Sequence, residues 1–81
     1  MVKYFVVEIS SDGDLDLYVF NTKNEAGDFI NARACEIYEI LLDEFSENDL
    51  FIEVYPEYAR VSIEAPGKEF DRILHYRTLE V

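Results

Sequence analysis

Hydrophobic and polar positions alternate along the first part of the chain. Residues 2–10 are rich in β-branched and aromatic side chains, and both of their alternating faces are partly apolar, which is typical of a central β-strand. Residues 15–21 alternate in the same way. The polar segment 11–14 between them contains Gly13, which can adopt the positive φ of a tight turn. The pattern predicts a β-hairpin.

A helical pattern follows the hairpin. Thr22 and Glu25 have the spacing of a capping box, in which the threonine hydroxyl accepts a hydrogen bond from the glutamate amide. Apolar residues then recur at three- and four-residue steps, at Ala26, Phe29, Ile30, Ala34, Ile37, Leu41 and Phe45. This spacing predicts an amphipathic helix that begins near Lys23 and ends between residues 43 and 46.

The remaining segments predict more strands. Residues 50–55 and 58–65 are separated by a turn at Pro56, and residues 74–79 are favoured as a last strand over a short helix. The expected fold is α+β, with one long helix packed on one face of an antiparallel sheet of four to five strands. Its order is ββαββ followed by a C-terminal strand or short helix, in a single domain over residues 1–81.

One helix can cover only one face of such a sheet. We expect the other face to expose aromatic side chains, and a face of this kind usually meets a partner. The residues assigned to it, as a candidate homodimer face, are Tyr4, Tyr18, Phe20 and Tyr55.

Composition and charge limit the class of partner. The 81 residues include 18 Asp and Glu against 7 Lys and Arg, which gives a net charge of −11, while 49% of residues are hydrophobic. This combination is typical of a folded domain with an acidic surface. Direct binding to nucleic acid or to an anionic membrane is disfavoured, because both need basic residues. The start of the chain lacks a signal-peptide cleavage pattern, and the single Cys35 fits a protein of the reducing cytoplasm.

The patterns that suggest enzymatic or metal chemistry are incomplete. Acidic residues alternate from Asp12 to Asp16 as in a calcium loop, but Leu17 and Lys23 occupy positions that need glycine and glutamate. His75 has no histidine or cysteine partner nearby in the sequence, and carboxylates flank Cys35. We therefore expect a non-enzymatic protein with no catalytic residue, no metal and no cofactor.

The distribution of the acidic residues is more informative. Residues 34–59 contain no Lys or Arg, and the acidic residues of the predicted helix lie opposite its apolar face. Like charges at three- and four-residue steps destabilise a helix, so this arrangement favours a partner of opposite charge. Such a row could imitate a phosphate backbone in front of a basic groove. The predicted partner-binding residues are Glu25, Asp28, Glu36, Glu39, Asp43, Glu47, Asp49 and Glu53.

Residues 18–30, with the sequence YVFNTKNEAGDFI, resemble the strand, threonine cap and acidic helix of small phage-encoded proteins. In size, acidity and α+β pattern the chain is similar to small acidic inhibitors of the anti-CRISPR type. The resemblance implies a stoichiometric inhibitor, acting in the host cytoplasm, that occupies the nucleic-acid groove of a defence nuclease as a DNA mimic. Two alternatives stay open: an immunity protein against a toxin nuclease, and a dimeric adaptor whose acidity serves solubility.

Overall fold

The computed structural model describes residues 2–67 and 69–80 and confirms the α+β prediction. One helix packs against a five-stranded antiparallel sheet, and a short 3-10 turn, Glu47–Asp49, follows the helix. The elements are β1 (Val2–Ser10), β2 (Leu15–Phe20), α1 (Lys23–Leu42), β3 (Leu50–Tyr55), β4 (Tyr58–Ile63) and β5 (Phe70–Glu80).

The strand order in the sheet is β2-β1-β5-β4-β3. The tail is therefore a strand, and it is longer than the predicted 74–79 because it pairs with β1 on one side and β4 on the other. A strand of an antiparallel sheet can pack one face on the core and leave the other toward water. Leu74 is buried beneath the helix, while Ile73 lies on the opposite face of the sheet.

The helix begins at the predicted residue, Lys23, and ends at Leu42, one residue before the predicted range. Thr22 is the N-cap in an extended conformation, and its hydroxyl accepts a hydrogen bond from the Glu25 amide at 3.1 Å. Asp43 is the C-cap, and the Phe45 amide donates to the Leu41 carbonyl at 2.9 Å beyond it. In the first hairpin, Gly13 has the expected positive φ of 97°.

The cap gives a first test of this description. We expect Thr22→Ala to lower the free energy of unfolding by about 1 kcal/mol, because it leaves a helix-terminal amide without its acceptor. Thr22→Ser keeps the hydroxyl and is expected to stay within about 0.5 kcal/mol of the parent. Urea denaturation followed by circular dichroism measures both variants. Equal stability of the alanine and serine variants would contradict a capping role.

The core lies between the helix and one face of the sheet. Alanines on both sides keep the layers close, and the buried apolar residues are Val6, Ala26, Ile30, Ala34, Ile37, Ala59, Val61, Ile63 and Leu74. At one end of this layer Phe29 of the helix contacts two rings of β2, with centroids 4.5 Å from Tyr18 and 5.2 Å from Phe20. These ring contacts hold the helix against β2.

This packing overturns part of the predicted dimer face. Tyr4, Tyr18 and Phe20 are half-buried against the core beneath the helix, so they do not lie on an uncovered face. The helix selects this face because Phe29 packs on its rings and Arg33 neutralises Glu8 within it. Tyr55 alone of the four lies on the uncovered face, where it is exposed.

Candidate acidic binding surface

A row of carboxylates follows the outer side of the helix. The side chains of the row are all exposed, and the buried residues of the helix lie on its opposite side. From Glu25 to Asp43 the row extends about 27 Å along the helix axis. We call these residues the acidic stripe: Glu25, Asp28, Glu36, Glu39 and Asp43.

The C-terminal part of the stripe is unfavourable for the helix that carries it. The last turn contains no basic residue, although the C-terminal end of a helix carries partial negative charge and favours cations. Glu39 and Asp43 lie at this end, where each carboxylate is unfavourable by about 0.3–1 kcal/mol. Glu25 in the first turn and Glu36 beside Arg33 are favourably placed, so the electrostatic cost falls on the C-terminal part of the stripe.

Most ion pairs among the described residues join a basic side chain to a carboxylate outside the stripe. Lys23 Nζ lies 3.4 Å from Glu57 Oε1, and Arg60 Nη2 lies 3.1 Å from Asp71 Oδ1. Arg33 contacts Glu36, so that one position of the stripe is neutralised. Within residues 2–67 and 69–80, the other four stripe carboxylates form no ion pair.

The three remaining predicted binding residues lie outside the stripe, and they do not share one face. Glu47 is exposed in the 3-10 turn after the helix, and Asp49 is half-buried at the end of that turn. Glu53 points to the opposite face of the sheet, where its carboxylate accepts a hydrogen bond from the Tyr55 hydroxyl at 3.5 Å. Strand alternation sends Glu53 there, so one flat partner surface cannot contact both Glu53 and the stripe.

The sequence analysis missed a buried charge network beneath the helix. Glu8 is 2% exposed and accepts from Arg33 Nε at 2.9 Å and Nη2 at 3.4 Å. Arg72 Nη1 of β5 donates to the same carboxylate at 3.4 Å. The hydrogen bond to Glu8 raises the pKa of Arg33 above its ordinary value. Arg33 is the one base between residues 24 and 59, a signal that could have identified a buried counter-charge.

The Asp12 carboxylate is hydrogen-bonded within the turn of the first hairpin. The Ser10 hydroxyl and the Asp14 amide both donate to Asp12, and the hydrogen bond from Ser10 lowers the pKa of Asp12. Across the described residues, no group of three His, Cys, Asp or Glu side chains could hold a metal ion. The turn carboxylate therefore serves the hairpin itself.

The other features considered for chemistry are the Cys35 thiol, the His75 imidazole and the surface cavities. Cys35 is exposed, and the His75 ring packs edge-on to Tyr58 at 4.9 Å. The cavity between Arg33 and Phe70 measures about 210 Å³, and a second near Pro56 measures about 280 Å³. Both are smaller than the roughly 300–1,000 Å³ of typical small-molecule sites.

No family model, curated protein or solved structure matches this chain. None of the helical segments described is both long enough and apolar enough to cross a membrane. The acidic stripe is thus the feature from which a function can be argued.

Proposed function

We propose that this protein is an acidic stoichiometric inhibitor of the anti-CRISPR kind, which binds a basic nucleic-acid-binding surface of a host defence nuclease. The observation that carries the proposal is the acidic stripe. Four of its five carboxylates form no ion pair among the described residues, and two lie at the helix end where they are unfavourable. Charges kept at a cost to the fold are typical of residues that serve a partner.

The spacing of the stripe suits a groove that holds nucleic acid. Glu36, Glu39 and Asp43 follow one another at steps of about 4.5–6 Å along the helix axis. Nucleotides of one DNA strand rise about 3.4 Å each along the duplex, with further lateral displacement of their phosphates. A rigid helix can therefore present carboxylates to the Lys and Arg side chains that otherwise bind phosphates.

The net charge also supports fast capture of such a target. A chain with a net charge of −11 is attracted over a distance by a basic groove, which raises the association rate. An inhibitor that competes with DNA gains from this steering, because it must reach the groove first. The same mechanism applies to a toxin nuclease with a cationic groove, so both kinds of enzyme belong in the test.

Salt dependence and competition test the proposal. Purified CRISPR effector complexes and bacterial toxin nucleases are assayed for inhibition, and binding to any inhibited enzyme is measured by calorimetry. We expect one-to-one inhibition, competition by duplex DNA, and an affinity that falls about tenfold or more from 0.1 to 0.5 M salt as screening increases.

The contrary results are equally clear. An affinity that is flat across this salt range, with DNA still bound beside the inhibitor, would reject a mimic. Inhibition of a toxin nuclease and of no CRISPR effector would assign the protein to immunity against that toxin. Absence of binding to every basic nuclease surface in the panel would contradict the proposed class.

A further inference from the structure

The face of the sheet opposite the helix has no cover within the described residues. We call it the open sheet face. Apolar residues that are neighbours in the strand register point toward this face and form one continuous apolar block. The block comprises Phe5, Val7 and Ile9 of β1, Leu15, Leu17 and Val19 of β2, and Ile73 of β5.

The block is unusually exposed for residues of this type. Leu15 is 64% exposed, Leu17 is 56% exposed and Val19 is 53% exposed. Single exposed apolar residues are common on protein surfaces, but contiguous ones on two paired strands mark an interaction site. β2 is also an edge strand, so the block reaches the border of the sheet.

The open sheet face differs from the rest of the chain in charge. Three bases against two carboxylates give it a net charge of +1, so the rest of the chain carries −12. Arg60 and Asp71 pair on this face at 3.1 Å, and Glu53 lies opposite Arg60 in the register. The Lys, Arg, Asp and Glu residues that point this way are Lys3, Glu53, Arg60, Asp71 and Arg77.

We infer that the open sheet face is a homodimer interface, in which two copies pack their sheets face to face. The occupant is a second copy because this is the one described face on which two such acidic chains can meet without strong repulsion. Packed layers lie about 10 Å apart, so the two helices would sit about 30 Å apart on the outside. That separation is more than three times the electrostatic screening length of ~8 Å at physiological salt.

The area of the face is sufficient for such an interface. Adjacent strands lie about 4.8 Å apart, so five strands span about 24 Å. Six residues, the length of β2, β3 and β4, extend about 20 Å. Two faces of about 480 Å² each give about 960 Å² in total, the size of weak interfaces, which bury less than about 1,200 Å².

A matched pair of substitutions tests the inference. Leu17→Lys places a charge in the apolar block, and Ile40→Lys places the same charge on the helix, at a residue that is 58% exposed. Both changes make the chain less acidic, so neither increases general repulsion. Sedimentation equilibrium of the parent should show masses that approach twice 9.5 kDa from about 10 to 500 μM, where weak interfaces of this size dissociate.

Leu17→Lys should weaken the dimer at least tenfold, while Ile40→Lys should stay within about twofold of the parent. Circular dichroism verifies that both variants fold. A parent mass of 9.5 kDa throughout, or equal effects of the two substitutions, would overturn the inference.

Salt separates this inference from the proposed function. Screening of the two acidic chains should leave the dimer as tight or tighter when salt is added, whereas nuclease binding should weaken. A dimer that weakens steeply with salt would also contradict an apolar interface.

Discussion

Replacing Glu8 with alanine is expected to lower the free energy of unfolding by about 3 kcal/mol, the low end of the range for breaking a buried ion pair. The substitution leaves Arg33 of the helix and Arg72 of β5 without their shared carboxylate. Both guanidinium groups keep some contact with water, with side chains 23% and 21% exposed, which holds the effect below the upper end. Urea denaturation at neutral pH measures it.

Glu36 provides a matched control on the same arginine. Its side chain also contacts Arg33, but it is 61% exposed. Exposed pairs contribute about 0–1 kcal/mol, so Glu36→Ala should change the stability by less than about 1 kcal/mol. Equal losses for Glu8→Ala and Glu36→Ala would show that burial adds nothing to the Glu8 network.

Neutralising the acidic stripe is expected to separate binding from stability. The triple change Asp28→Asn, Glu39→Gln and Asp43→Asn removes three exposed carboxylates that form no ion pair in the described part of the chain. Inhibition of the target nuclease should fall at least tenfold, which corresponds to about 1.4 kcal/mol of binding. Stability should be unchanged or rise by up to about 1 kcal/mol, because like-charge and helix-end repulsion are relieved.

A second triple change controls for net charge. Asp14→Asn, Asp16→Asn and Glu64→Gln remove the same number of exposed carboxylates from residues outside the helix. This variant should inhibit within about threefold of the parent, because long-range attraction falls but the stripe is intact. Equal loss in both variants would attribute binding to overall charge, and full inhibition by both would move the binding surface away from the helix.

Local signals made most of the fold predictable. The Thr22 cap and the three- and four-residue apolar steps located the helix to within a few residues at both ends, since these depend on near neighbours. Alternation located the first four strands for the same reason. The extent of β5 could not be predicted, because its ends depend on pairing with β1 and β4 rather than on its own sequence.

The choice of sheet face could not be read from alternation. β1 is partly apolar on both faces, and the decision rests on contacts between distant residues, such as Arg33 with Glu8. The stripe was predictable because helical periodicity alone places its residues on one side. That Glu53 lies on the other face of the sheet could not be predicted, because a position in a strand indicates a face of the sheet only after the helix has been placed.

The position of β5 in the middle of the sheet has a consequence for synthesis on the ribosome. β1 and β4 both pair with β5, so the N-terminal hairpin and the β3–β4 hairpin share no strand until residues 70–80 have been translated. Until then each nascent half presents an unpaired edge to its surroundings. The acidic charge repels neighbouring nascent chains during this interval, and β5 then pairs with both hairpins.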